Sequence, residues 1–310
     1  MCIFSQPVNS VGNTRIFARS TSVDSQFLVY QMNYDSQDPN AMILPIPVKL
    51  PAREDSLRFI NLEKYPEFFA HLMNGFPYHP PSFSIGCSSY HDGVVASALE
   101  VFEVGNYIAS FVPQMSDFAR LDARFTLPEE TWAKIPEYQN YGFAVFQLAA
   151  GSLQPHPMAF EFETSNQSIY FPTRHIHDGE VHDAEDFDHL LYLQHAGFDS
   201  QVNSYQNSDI TDQQTGLVRS KTIANRFCDL RRSSGIVDGN LLVHKKEIRG
   251  TRQNEDTFIT TTGHPTKPTF NFNPLVSWIF SFPSFVIFGG IAWLFARRSK
   301  LRRINSSEEV

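Results

Sequence analysis

The chain has 310 residues, 42% of them apolar and 19% charged, an ordinary composition for a folded protein with room for one large domain or two smaller ones. Its net charge of −8 is uneven: Arg297, Arg298, Lys300, Arg302 and Arg303 crowd the C-terminus against Glu308 and Glu309, leaving 20 basic and 31 acidic residues in positions 1–296, a net of −11. So acidic a body lacks the basic face that phosphates require, which removes nucleic acid from the expected partners.

In chain order, short apolar runs alternate with turn residues. The runs 14–20, 26–33 and 41–48 read as a first group of strands. The last holds Leu44-Pro45-Ile46-Pro47, whose prolines forbid ladder bonds and mark a strand end or a sheet edge. A helix is expected over 66–74, with Pro66 in its first turn and Gly75 past its end. Strands follow over 82–90, 98–112 and 142–149, with a second helix over 128–138. In 158–164 the alternation is clean, placing Met158, Phe160 and Phe162 on one face and Glu161 and Glu163 on the other. Strands over 169–175 and 240–250 and a polar loop over 199–216 complete the body. With 28 phenylalanines and 11 tyrosines among 19 prolines, the pattern predicts an α+β fold. Its globular domain, 1–259, is predominantly antiparallel and β-rich, with two or more short helices.

Residues 260–273, rich in Thr, Pro and Asn, form a linker to a different kind of segment. No charged residue occurs between Lys267 and Arg297, and 274–296 is almost wholly apolar. As a helix those 23 residues reach roughly 34 Å, enough for a hydrocarbon core of about 30 Å. Trp278 and Trp293 lie near its ends, where indoles favour the interface. The expectation is a single-pass transmembrane helix in the lipid bilayer, followed by a basic tail over 297–310. That tail predicts a body facing outward. The N-terminus, with no basic region leading into an apolar one, predicts the opposite, a tail anchor with the body in the cytosol.

Two places carry candidate chemistry. The segment 174–195 holds five of the eleven histidines among six acidic residues. His175, His177, His182 and His189 are the candidate metal ligands, for zinc or another divalent ion, because His175 and His177 share a face if the preceding strand continues. Asp178-Gly179 is a turn pair that brings His182 back toward His177. The alternative is a solvated acidic loop. The second place is Cys2: removal of Met1 would join a thiol to a free α-amine, the pairing of N-terminal nucleophiles. Arg19 stands where bile-salt and penicillin hydrolases of that class place an arginine, although Ser20, Thr21 and Ser22 intervene before Asp24. Cys2, Cys87 and Cys228 are widely spaced and form no Cys-x-x-Cys pair, which suits three reduced or buried thiols.

Cys2, Arg15-Ile16-Phe17-Ala18, Leu44-Pro45-Ile46-Pro47, 143–148, the strand 155–162 and Tyr170-Phe171-Pro172 occur in an order that resembles a family of uncharacterised bacterial exported proteins, often membrane-anchored at the C-terminus. The resemblance covers some two thirds of the chain. It implies a fold and an exported location and supplies no activity; its members carry a signal peptide that this N-terminus lacks. The expected function is a binding or assembly module with a protein partner at a membrane. The alternative is a hydrolase using Cys2 or the histidine cluster.

Overall fold

The computed structural model describes residues 2–21, 24–77, 101–105, 107–122, 125–166, 168–199, 211–212 and 215–260. The chain divides into two units, Met1–Pro268 and Thr269–Val310, and the described residues all belong to the first. The expected strand over 82–90, Cys87, nearly all of the linker, the apolar segment 274–296 and the basic tail lie outside them. Among the described residues no helix is long and apolar enough to cross a membrane.

The first strands are β1 (Cys2–Phe4), β2 (Ser10–Ser20), β3 (Ser25–Ser36), β4 (Asn40–Ile46) and β5 (Leu57–Asn61). After helix α1 (Phe68–Asn74) come β6 (Val101–Val104), β7 (Tyr107–Val112), helix α2 (Glu129–Ala133) and β8 (Gly142–Leu148). Next are β9 (Gly151–Leu153), β10 (Met158–Glu163), β11 (Ser168–Phe171), β12 (His175–Ile176) and β13 (Ala184–Gln194). Helix α3 (Ala196–Asp199), β14 (Val218–Arg219), β15 (His244–Gln253) and β16 (Thr257–Thr260) follow.

One sheet runs β12-β1-β4-β8-β7-β6 and the other β14-β15-β13-β2-β3-β10-β5, with β9 beside the end of β3 and β11 paired to β16 apart from both. Pairing is antiparallel except for β1 with β12 and β2 with β13. The described body is therefore β-rich with mixed sheets and few helices.

Three apolar clusters explain why the strands read as nearly continuous hydrophobic runs. Between the sheets lie Met42, Leu44, Ala144 and Phe146 from one and Leu28, Tyr30, Met158 and Phe160 from the other. The alternate residues are also covered. Val29, Phe17 and Ala159 meet Phe68, Phe69 and Leu72 of α1 with Ile236 and Val243. Ile43, Phe143 and Val145 meet Phe118, Trp132 and Tyr138. The central strands of each sheet are thus buried on both faces. In β10, Met158, Phe160 and Phe162 do share the inter-sheet face, while Ala159 on the other face is buried as well.

Several boundaries differ from the sequence reading for identifiable reasons. The run 98–112 is not one strand: β6 and β7 pair as a hairpin joining Val104 to Tyr107, with Gly105 at φ +63°, a backbone that hairpin turns demand. The second helix stops at Ala133, and Pro136 begins a separate 3₁₀ turn, since proline cannot continue the ladder. Strand 169–175 is broken at Pro172 into β11 and β12. Pro45 sits in the middle of β4, opposite Phe143 of β8, but β1 reaches only as far as Ile43 on the other side. Its missing N–H therefore faces a locally open edge.

The acidic, histidine-rich segment is a loop only over 177–183. Its second half is the eleven-residue strand β13, paired to β15 over ten residues and to β2 over five. Leu191 and Leu193 enter the inter-sheet core, and Tyr192 packs in the cluster beneath α1. The acidic residues Glu185, Asp186 and Asp188 occupy the end of the strand beyond its ladder with β2, where Asp188 still accepts from the Asn13 N–H.

Candidate functional site

The four histidines chosen as metal ligands are divided by the fold. His175 lies on β12 in the first sheet and His189 on β13 in the second, and their Nε2 atoms meet at 3.1 Å. The contact spans the two sheets. His175 is 5% exposed and His189 0%. His177 stacks on His175, with ring centroids 4.7 Å apart and planes 25° from parallel, and its own edge contacts Phe4 at 5.7 Å. Phe187 closes the other side, 4.6 Å from His175 and 5.1 Å from His189. His182 turns away: its Nε2 stands 2.9 Å from Asp178 Oδ2, with both side chains largely exposed. The Asp178-Gly179 turn exists, with Gly179 at φ +84° and the Glu180 N–H donating to Asp178 Oδ1 at 2.9 Å.

Asn254, 3% exposed, holds this corner by imitating a strand. It accepts from the His175 N–H at 2.7 Å and donates to the His175 carbonyl at 2.8 Å and the His182 carbonyl at 3.0 Å.

Burial drives the pKa of His175 well below its usual value, and the neighbouring imidazoles His189 and His177 add to that. Burial does the same to His189. Both rings are therefore neutral, and one must donate to the other. His189 Nδ1 is buried with no hydrogen-bond partner among the described residues. A bare ring nitrogen is tolerated there more readily than a bare N–H, which assigns the shared proton to His189 Nε2 and the accepting lone pair to His175. At the exposed turn the direction reverses: the hydrogen bond to Asp178 raises the pKa of His182, and the same bond lowers that of Asp178.

Cys2 opens β1, and the parallel register sets its Cα opposite that of His175. The fold thus brings together at one pair of strands two places that lie far apart in sequence. Arg19 is engaged elsewhere: its Nε donates to the Ile236 carbonyl and its Nη2 to the Gly235 carbonyl, each at 2.6 Å, with the guanidinium 4.8 Å over Phe27. Cys228 is a free thiol whose pKa burial pushes up to about 12, which keeps it protonated and unreactive. Among the described residues no three His, Cys, Asp or Glu side chains are grouped so as to hold a metal ion.

A second site was not apparent in the sequence. A cavity of about 470 Å³ runs beside β15 and β16, lined by Phe187, Lys246, Ile248, Arg249, Arg252 and Phe258 among others. β13 covers one side of β15 from end to end, whereas β14 pairs only with His244 and Lys245 on the other. From Glu247 to Gln253 every residue but Ile248 is exposed. Phe258 is 43% exposed and lies 5.1 Å from Tyr170.

The wall at Asp256 is rigid, because that carboxylate accepts from the Tyr138 hydroxyl at 2.7 Å, the Tyr170 hydroxyl at 3.0 Å, and the N–H groups of Thr173 at 2.9 Å and Arg174 at 3.1 Å. Burial, reinforced by the Asp256 charge, raises the pKa of both phenols and keeps them protonated donors. The sequence signal for this site is the strand expected over 240–250, which the structure places at His244–Gln253 and which says nothing of a neighbour on either side.

No family model matches the chain. Among solved structures it is similar to baculovirus P35, at 16% identity over 82% of this chain and 97% of that one, with a TM-score of 0.44. A mutated baculovirus P35 after caspase cleavage is similar at 16% identity over 80% and 99%, with a TM-score of 0.43. A chain of a caspase-8/P35 complex is similar at 14% identity over 81% and 97%, with a TM-score of 0.41.

Proposed function

We propose that this chain is a membrane-anchored binding module: residues 1–259 present a protein-binding surface, 260–273 act as a tether, 274–296 cross the bilayer once, and 297–310 form a basic tail. The observation that carries the binding reading is the exposed side of β15, unpaired past Lys245 among the described residues, beside a cavity of about 470 Å³. An unpaired strand edge offers main-chain donors and acceptors to an incoming chain, and the rigid wall at Asp256 keeps that edge in place. The uncharged stretch between Lys267 and Arg297 supports the anchor.

The anchor is tested by alkaline extraction of membranes carrying the full chain. Wild type stays in the pellet, whereas Val286→Lys/Ile287→Lys moves to the supernatant; extraction of the wild type overturns the anchor. Protease digestion of intact and of opened cells then fixes the side on which the body lies. Binding is tested by chemical crosslinking of the full chain in its membrane, followed by mass spectrometry. Adducts mapping to β15 and β16 support the reading, and adducts confined to other surfaces oppose it. Caspase-8, the protein named with P35 in one of the similar structures, is a defined first protein to offer in that experiment.

A hydrolase reading rests on a specific observation too, the register that sets the Cys2 Cα opposite His175, whose imidazole meets that of His189. Two imidazole nitrogens 3.1 Å apart would also suit a shared zinc or other divalent ion, whose bonds to nitrogen run about 2.0–2.1 Å. Elemental analysis of protein from zinc-replete cells decides the metal: less than one equivalent removes it. Intact mass decides Cys2, because a retained Met1 leaves no N-terminal thiol.

A further inference from the structure

We infer that the free side of β15 between Lys246 and Gln253 takes up an acidic, extended segment of a partner protein by strand addition, an inference that rests on the binding-module reading above. In an antiparallel ladder alternate residues direct their N–H and C=O groups to the same neighbour, so a strand paired on one side only leaves the other half of those groups outward. β13 takes one side of β15 over ten residues, and on the other side β14 ends at Lys245, beyond which no strand among the described residues pairs with it. Phe187, Ile248 and Phe258 give the adjoining cavity an apolar component on which alternate side chains of an added strand can rest.

Charge selects the occupant. Residues 246–253 carry Lys246, Arg249 and Arg252 against Glu247, which pairs with Arg249, a net of +2 in a body whose net is −11. A second copy pairing through the same strand would set +2 against +2, the like-charge arrangement that commonly keeps sheet edges apart. An acidic strand is attracted instead. The sheet already contains the template, for on β13 Glu185 stands opposite Arg252 and Asp188 opposite Arg249. An added acidic strand repeats on the free side the cross-strand pairing that β13 makes on the covered side. Gly250, at φ +71°, turns β15 at mid-length, so the added strand is a short one.

The test uses the full chain in detergent micelles and a fluorescein-labelled octapeptide of alternating glutamate and valine, read by fluorescence anisotropy. Saturable binding is expected, weakened about tenfold or more by Arg249→Glu/Arg252→Glu and by exchanging the peptide's glutamates for lysines. Raising the salt should also weaken it. Circular dichroism and a thermal melt of the double variant check that it remains folded. Equal binding of the two peptides, or of wild type and double variant, overturns the inference. So does a wild-type dimer that the double variant abolishes, which would make a second copy the occupant. If the peptide fails to bind while membrane crosslinking still yields partner adducts, strand addition is wrong and the binding module stands. If both fail, the binding module falls with it.

Discussion

Two ends of the β13–β15 pair use polar residues in opposite ways. At the corner where β13 meets β12, His175 and His189 are buried, neutral and satisfied chiefly by each other across the two sheets. Along the outer side of β15, Arg249, Arg252 and their neighbours are exposed, charged and next to main chain that no described strand covers. The first region looks richer in chemistry when only residue types are counted. In the fold it is a joint between sheets, and the less conspicuous strand offers the surface. Burial and partner supply distinguish the two, and neither is a property of residue type.

The comparison fails most visibly if the joint is not structural. Phe160 sets the scale, being fully buried between the sheets and in ring contact with Phe59, Phe146 and Phe162. Phe160→Ala should cost about 3–5 kcal/mol in urea unfolding. His189→Ala should cost somewhat less, about 2–4 kcal/mol, through a cavity and the buried His175 nitrogen left without a partner. A loss below about 0.5 kcal/mol would show that the imidazole contact joins nothing.

Asp256→Ala comes next, at about 2–3 kcal/mol, because it strips an acceptor from Tyr138 and Tyr170 at once. Tyr170 is partly compensated by the Pro45 carbonyl at 2.8 Å. The corresponding thermal shift should shrink in a Tyr138→Phe/Tyr170→Phe background to the part owed to the Thr173 and Arg174 N–H groups.

The joint also predicts a pH dependence with a definite sign. His175 and His189 have pKa values lowered by burial, so they stay neutral in the fold while the unfolded chain takes up protons below about pH 6.5. Their contribution is complete above that pH and is lost as the pH falls from about 6.5 toward the folded values. A His175→Phe/His189→Leu variant should show a flatter fall between pH 6.5 and 4 in equilibrium unfolding. His182 contributes oppositely, since its raised pKa favours the folded state in acid, but it is exposed and its effect is screened. His182→Ala should leave the melting temperature at pH 7 unchanged within error. Arg249→Glu/Arg252→Glu sets glutamates opposite Asp188 and Glu185 and should cost about 1 kcal/mol, more than His182→Ala, while it abolishes most peptide binding.

The legible parts of the fold are those where local pattern and burial agree. β3, β4 and β8 were readable because both of their faces are covered, so their residues are apolar almost without interruption. β1 is three residues long and held by partners at 42–43 and 175–176, which no local window contains. β13 was obscured because its first half carries Glu185, Asp186 and Asp188, charges that fit the end of a strand beside the arginines of β15. The histidine cluster was legible as a cluster and not as a geometry. Pairing His175 with His189 requires their strands to lie in different sheets, whereas local spacing favoured His175 with His177. The β15 surface was illegible for a related reason: an edge is defined by a neighbour the strand lacks, and sequence reports only the strand.

The most direct test of the central claim is site-specific photocrosslinking in native membranes, with a benzophenone amino acid at Thr251, exposed on β15, and, as control, at Leu50, which is 55% exposed on another segment. A discrete partner adduct from position 251, absent from position 50 and suppressed by excess glutamate–valine octapeptide, is the predicted result. Adducts of equal intensity from both positions, or from position 50 alone, would contradict a binding surface on β15.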